Sequence, residues 1–395
     1  MLAFTFPGQG SQRSGAGRPW VDHPSWELVA DVSEVAGRDV AALLIDAGAE
    51  ELRATRNSQL VTLTSSLLVL DAIERLGISP SACAGHSLGE YTALVASGAL
   101  SFEDGVRLVV ERGEAMETAA EERPGTMAAL LGIGDDDAEA ACQRAEGEVW
   151  VANYNAPGQV VIAGVAEAVA RASELAKSLG ARKVLPVPVG GAFHTPLMAP
   201  ARARLRKALA STTFSDPEIP VTANVDARTH AHAEDWPGLL SAQLCSPVRW
   251  RQILVSLAAD GPGTLVEVGP GGVLSGLAKR TVPDLRLLSV ATPDDLDALV
   301  EAVDGHGPLH DYALAHAGEH LYMSERVVVS PATGVFEPAG LDGAPDLEVG
   351  SVVGTVGSAE VRTPFAGAVM GHLALPGERV VTGQPVAWLR TSPTP

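Results

Sequence analysis

The chain has 395 residues, 46% hydrophobic and 19% charged, with a formal net charge of -20. That length predicts two or three domains with ample surface to bury. The acidic balance excludes nucleic acid and anionic membrane as partners.

Leu2–Phe6 reads as a short strand, closed by the loop Pro7-Gly8-Gln9-Gly10-Ser11-Gln12. The start lacks a basic segment followed by a long apolar core, so no signal peptide is expected. No later apolar run reaches membrane-spanning length. The loop lacks the Gly-Lys-Ser/Thr of a phosphate loop. Its glycines let the Gln9 backbone approach a ligand and offer one oxyanion donor. The alternative is an ordinary tight turn.

Residues 25–47 and 58–76 read as helices. The apolar run ending in Ala82-Cys83-Ala84 then meets Gly85-His86-Ser87-Leu88-Gly89-Glu90-Tyr91, which leads into a helix stopping at Gly98. Gly-x-Ser-x-Gly between strand and helix is the pattern of a nucleophile elbow. Such a turn holds the Ser87 hydroxyl at a helix N-terminus, where the Leu88 N–H and the helix dipole favour a developing oxyanion. An incidental serine in a tight turn is the competing reading.

Ser101-Phe102-Glu103-Asp104 starts the next helix with a capping-box-like pattern. Arg112 lies beside its apolar stripe. Glu111 and Glu114 are badly directed to pair with it. Either the stem packs and the head reaches water, or the guanidinium grips a substrate carboxylate with two parallel hydrogen bonds. From about 125 to 188 the order β-α-β-β-α-β is expected, a ferredoxin-like unit inserted in the larger α/β body. Turn chemistry accounts for Asn155 in Asn155-Ala156-Pro157-Gly158.

Gly191-Ala192-Phe193-His194-Thr195-Pro196 follows, with Thr195 as N-cap and Pro196 as first helical residue. His194 thus stands outside a helix N-terminus, where positive potential keeps imidazole neutral, as a general base for Ser87 requires. A structural loop histidine is the alternative. Gln243 either accepts the imidazole N–H, as a triad carboxylate does, or is a polar surface residue. Arg202, Arg204 and Arg206 form a candidate basic patch for an acidic partner, or a solvated helix face. Cys83, Cys142 and Cys245 contain no Cys-x-x-Cys pair, which argues against a disulfide scaffold or zinc site and for a reduced, cytoplasmic protein.

Taken in order, Pro7–Gln12, Gly85–Tyr91, Arg112-Gly113, Asn153-Tyr154-Asn155-Ala156-Pro157-Gly158-Gln159, Gly191–His194 and Glu267-Val268-Gly269-Pro270-Gly271 resemble the malonyl-CoA:acyl-carrier-protein transacylase family, over about residues 1–290. The resemblance implies an α/β-hydrolase-like large subdomain carrying the ferredoxin-like insert. It implies Ser87 as nucleophile, His194 as base, Gln243 orienting the histidine, Gln9 and Leu88 as oxyanion hole, and Arg112 pairing with the malonyl carboxylate. Asn155 and Phe193 fall to the substrate pocket, and Leu88 with Gly-Ala-Phe-His implies malonyl over methylmalonyl. Gln59-Leu60-Val61 departs from the family's frequent Gln-Pro-Ala. The implied activity moves malonyl from CoA to the phosphopantetheine thiol of an acyl carrier protein, in polyketide or fatty-acid biosynthesis, without a cofactor. A thioesterase or editing hydrolase on the same scaffold is the rival enzyme.

The expected domains are 1–305, a linker at 306–325, and 326–395. In the last, Ser330-Pro331-Ala332-Thr333-Gly334 is echoed by Thr363-Pro364-Phe365-Ala366-Gly367. This part resembles the all-β biotinyl/lipoyl hammerhead domain, whose family carries its cofactor on a hairpin lysine. Here that hairpin reads Val356-Gly357-Ser358-Ala359-Glu360, and the chain's four lysines, at 177, 183, 207 and 279, all precede it. Amide-linked biotin or lipoate is therefore excluded. A docking or packing module, a scaffold recruiting synthase subunits, and a plain β domain are the remaining readings.

Overall fold

The computed structural model describes residues 1–259, 261, 263–304, 325–340 and 347–390. Its residues group into two compact units, Met1–Val69 with Pro80–Asp295, and Leu70–Ser79 with Leu296–Pro395. The expected linker, Glu325 apart, lies outside the described residues.

The first unit contains strands β1 (Leu2–Phe6), β2 (Ala82–Gly85), β3 (Thr126–Leu131), β4 (Val149–Ala156), β5 (Gln159–Gly164), β6 (Lys183–Val187), β7 (Val221–Thr222), β8 (Thr229–His230), β9 (Thr264–Val268) and β10 (Arg286–Val290). Its helices are α1 (Leu28–Ala36), α2 (Val40–Ile45), α3 (Thr55–Arg75, where the division between units falls), α4 (Gly89–Ala96), α5 (Phe102–Glu122), α6 (Asp135–Arg144), α7 (Ala166–Ser178), α8 (Ala199–Ala210), α9 (Trp236–Gln243), α10 (Trp250–Ala258) and α11 (Val273–Thr281).

Six strands form one sheet in the order β10-β9-β1-β2-β7-β8. All its pairings are parallel except that of β7 with β8. The inner strands are apolar and buried on both faces, as a helix-covered parallel sheet requires. Because β1, β2, β7 and β9 run the same way, the segments following them emerge at one edge. Those segments are the Gln9 loop, the Ser87 elbow, Asn224 and Gly269–Gly271, so the topology converges four sequence-distant loops on one place.

The insert has the strand and helix order expected of it. Its antiparallel sheet runs β4-β5-β3-β6, the strand order of a ferredoxin-like unit. Leu130, Ile162, Ala138, Ala141, Ala168 and Ala172 pack between this sheet and α6 and α7. The many alanines let the helices lie close to the sheet.

The second unit contains α12 (Leu296–Asp304), then β11 (Glu325–Val329), β12 (Gly334–Pro338), β13 (Val352–Val356), β14 (Ala359–Arg362), β15 (Ala368–His372), β16 (Arg379–Val380) and β17 (Pro385–Arg390). The strands form two sheets, β11-β17-β15 and β14-β13-β12-β16, around Val328, Phe336, Val353 and Leu389. The echoed motifs make the same structure twice. The Ser330 hydroxyl donates to the Ala332 carbonyl at 2.6 Å, and the Thr363 hydroxyl to that of Phe365 at 2.8 Å. Ser330 N–H donates to Gln384 O and Gly383 N–H to Ser330 O. At a constant offset, Thr363 N–H donates to Ser351 O and Gly350 N–H to Thr363 O. The pairs Phe336–Val356 and Val369–Leu389 repeat the relation.

Candidate active site

The elbow depends on two missing side chains. A Cβ on Gly85 would lie 1.9 Å from the Gly89 carbonyl, and one on Gly89 would lie 2.0 Å from the Phe6 carbonyl. Only glycines let β2 turn into α4 against β1. Ser87 takes a left-handed φ of 53° at the turn, and His194 one of 61°. Such conformations persist only where surrounding contacts hold them. For Ser87 the contact is its N–H, which donates to Asn224 Oδ1 at 2.7 Å.

Ser87 Oγ lies 2.7 Å from His194 Nε2. His194 Nδ1 lies 2.9 Å from the Gln243 backbone carbonyl. A carbonyl only accepts, so Nδ1 carries the proton and Nε2 presents a lone pair to the serine hydroxyl. Burial, and then the positive Arg112, pull the His194 pKa down to about 3. The imidazole is therefore neutral, although the cause differs from the helix-end potential expected. Thr195 does cap the segment, accepting from Leu197 N–H at 3.3 Å, but the turn at Pro196–Met198 is a 3-10 helix leading into α8.

Gln243 orients the histidine through its main chain, not its side chain. The freed amide is put to other use. Its Nε2 donates to Ser87 O at 2.8 Å and to Glu90 Oε2 at 2.5 Å, and its Oε1 accepts from Arg112 Nη2 at 3.0 Å. Arg112 is 1% exposed, so the reading of a head in solvent fails. Its Nη2 also donates to Ser87 Oγ at 3.0 Å and its Nη1 to Gln59 Oε1 at 2.7 Å. All three acceptors are neutral, and the Nε–H is buried without a hydrogen-bond partner. A buried cation with donors to spare calls for an anion. Glu111 and Glu114 do point elsewhere, both holding Arg204. That removes Arg204 from the basic patch proposed with Arg202 and Arg206.

A cleft of about 170 Å³ opens over the pair. Gln9, Ser87, Met116, Asn155, Phe193 and His194 are among its walls. Asn155 Oδ1 faces His86 Nε2 at 3.0 Å, which adds a contact to its turn role. Leu88 is buried as the N-cap of α4, its N–H among the first-turn donors a helix leaves without an internal acceptor. Gln9, Ser87, Asn155, Phe193 and His194 thus line one cleft, while Arg112 and Gln243 are not among its walls and meet Ser87 and His194 through hydrogen bonds.

Comparison with known proteins decides the family. The acyl transferase domain model matches residues 3–300. The malonyl CoA-acyl carrier protein transacylase of Bacillus subtilis is 42% identical over 310 residues, covering 76% of this chain and 97% of the relative. The chain belongs to the acyl transferase family. Among solved structures, an acyl carrier protein S-malonyltransferase from Vibrio cholerae superposes on this acyltransferase with a TM-score of 0.73 at 40% identity, covering 75% of this chain and 99% of the other. A malonyl-transacylase solved in complex with a type II polyketide-synthase acyl carrier protein gives 0.74 at 38% identity, covering 76% and 99%.

Two buried residues that sequence reading passed over hydrogen-bond into the site. Glu90 is fully buried at the start of α4, and Asn224 just beyond β7. An acidic residue opening an otherwise apolar, buried helix was the available signal for Glu90. Asn224 had none beyond being a short polar residue after a strand. Among the described residues, no helix is long and apolar enough to cross a membrane.

Proposed function

We propose that the chain transfers a malonyl group from CoA to the phosphopantetheine thiol of an acyl carrier protein through an ester on Ser87. His194 Nε2 takes the hydroxyl proton as Ser87 Oγ attacks the thioester carbonyl. The N–H groups of Leu88 and Gln9 receive the oxyanion, and its collapse expels CoA as His194 returns the proton to sulfur. The carrier thiol then reverses these steps. Exchange of one thioester for another is close to isoenergetic, so the reading calls for no cofactor. Arg112 holds the free carboxylate, and Phe193 and Asn155 wall the acyl pocket.

The observation that carries this reading is Arg112, buried at 3.0 Å from Ser87 Oγ with its Nε–H unpaired. A malonyl ester on Ser87 brings a carboxylate there, and an acetyl ester does not. Intact-mass measurement after incubation with malonyl-, methylmalonyl- and acetyl-CoA tests it. The expected result is one malonyl group on the native chain and none on Ser87→Ala. Labelling of Ser87→Ala would remove Ser87 as nucleophile. Adding a carrier protein and comparing transfer with hydrolysis separates this activity from a thioesterase.

For the second unit we propose a lysine-free biotinyl/lipoyl-like module that docks a synthase subunit. The duplicated Ser/Thr-Pro turns support the likeness, as does the β13–β14 hairpin turning at Gly357-Ser358 where the family carries its lysine. A cytoplasmic setting fits a chain whose three cysteines contain no Cys-x-x-Cys pair.

A further inference from the structure

Behind the serine and histidine lies a carboxylate to which the mechanism above gives no part. Glu90 is fully buried. Its Oε1 accepts from the Asn224 N–H at 2.6 Å and from Asn224 Nδ2 at 3.0 Å, and its Oε2 accepts from Gln243 Nε2 at 2.5 Å. Both partners reach the reacting pair. Asn224 Oδ1 accepts from the N–H of Ser87, and the Gln243 carbonyl accepts from His194 Nδ1. We propose that Glu90 is a positioning residue of the transfer reaction, its ionised carboxylate aligning the nucleophile through Asn224 and the base through Gln243.

The donor count supports the ionised form. All three hydrogen bonds to Glu90 come from N–H groups, so a protonated carboxyl would aim its hydrogen at another donor. A carboxylate is the acceptor-only group this position needs. It also fixes the Gln243 amide: with Nε2 turned to Glu90, Oε1 necessarily faces Arg112. One carboxylate thus sets Ser87, His194 and Arg112 together.

The charged and titratable groups that act on Glu90 are Arg112 from α5 and Tyr91 beside it on α4. Burial pushes the Glu90 pKa up to about 7, against the pull of its hydrogen bonds and of Arg112. Acid therefore removes the aligning form near pH 7. His194 is protonated only near pH 3, so the two losses are well separated.

The inference rests on the malonyl-transfer reading, and the experiment separates the two. Single-turnover acylation of Ser87 by malonyl-CoA is followed by quenched intact-mass measurement from pH 5 to 8. If the native chain takes no malonyl on Ser87, the transfer reading fails. If it does, its rate is expected to fall as pH drops through about 7, where the buried Glu90 takes its proton; a flat profile overturns the proposal. Glu90→Gln keeps the shape but turns an NH2 toward a donor. Its acylation rate per active site is expected to drop about 10²-fold, the lower end of what general-base catalysis supplies, because the Gln243 carbonyl still meets His194. Its rate should no longer fall through the neutral range, because the group that titrates there is gone. A purely structural role would lower the folded fraction and leave the rate per site and its pH profile unchanged, which overturns the proposal. If Glu90→Gln fails to fold, Asn224→Ala, which cuts the link from Glu90 to the Ser87 N–H, decides: its acylation rate per active site is expected to fall, and a native rate overturns the proposal.

Discussion

Truncating Arg112 to alanine separates malonyl from acetyl chemistry at one residue. The guanidinium is 1% exposed, and its hydrogen bonds to Ser87, Gln59 and Gln243 all end on neutral oxygens. A malonyl carboxylate entering this pocket leaves water and gains a buried, charge-assisted pair. Without Arg112 the same carboxylate is buried unpaired, at a cost of about 3–5 kcal/mol. At about 1.4 kcal/mol per decade, kcat/KM for malonyl-CoA falls by about 10²- to 4 × 10³-fold. Acetyl-CoA brings no carboxylate and is spared that loss. Both substrates share whatever is lost when Gln243 and Ser87 give up their Arg112 contacts, so the ratio of the two constants cancels the common part. The assay is competitive acylation by equimolar malonyl- and acetyl-CoA, with the two acyl-enzymes resolved by mass. Arg112→Lys keeps a charge but not the fork, and should fall between. Equal losses on both substrates would refute the carboxylate clamp.

His194→Asn should flatten the acid dependence of stability. The native His194 pKa lies below its unfolded value, so its contribution is complete above pH 6.5 and is lost as pH falls toward about 3. Between pH 6.5 and 5 the native chain should lose about 2 kcal/mol more than the variant in denaturant titrations; Glu90, shifted upward, acts in the opposite sense in both proteins. Gly89→Ala, whose Cβ would meet the Phe6 carbonyl at 2.0 Å, should destabilise by more than about 3 kcal/mol; a normal melting temperature would contradict the elbow packing. A chain ending at Asp304 keeps the segment shared with the curated relatives and should retain full transfer to its carrier. Loss of that activity, with folding intact, would make the β unit a participant in the reaction.

The sequence was legible where local chemistry and topology agree. Gly85 and Gly89 flank Ser87 because of a steric conflict, and such conflicts leave a spaced motif. The alternation of strand and helix between Thr126 and Val187 likewise announced the insert, to within a few residues at most ends. Arg112 was visible as a cation beside an apolar stripe, but the choice between solvent and substrate turned on its burial, and the fate of Glu111 and Glu114 on Arg204 of α8. That pairing crosses about ninety residues of chain and leaves no periodic trace. Glu90 and Asn224 were harder still, since their value lies in which donors point at which oxygen.

Gln243 shows why residue type alone misassigns a role. Its side chain resembles the acceptor that a histidine needs, yet the backbone carbonyl supplies that acceptor. The physical reason is Arg112. A carboxylate placed directly on His194 would also stand beside the guanidinium, and the two would neutralise each other where the substrate's own carboxylate must bind. A neutral carbonyl orients the imidazole without competing for Arg112. The carboxylate stands one amide farther back as Glu90, where the Gln243 side chain separates it from the cation. The site thereby keeps a fixed histidine and a guanidinium with a spare donor at once, and on the proposed reading selection for a charged acyl group depends on holding both.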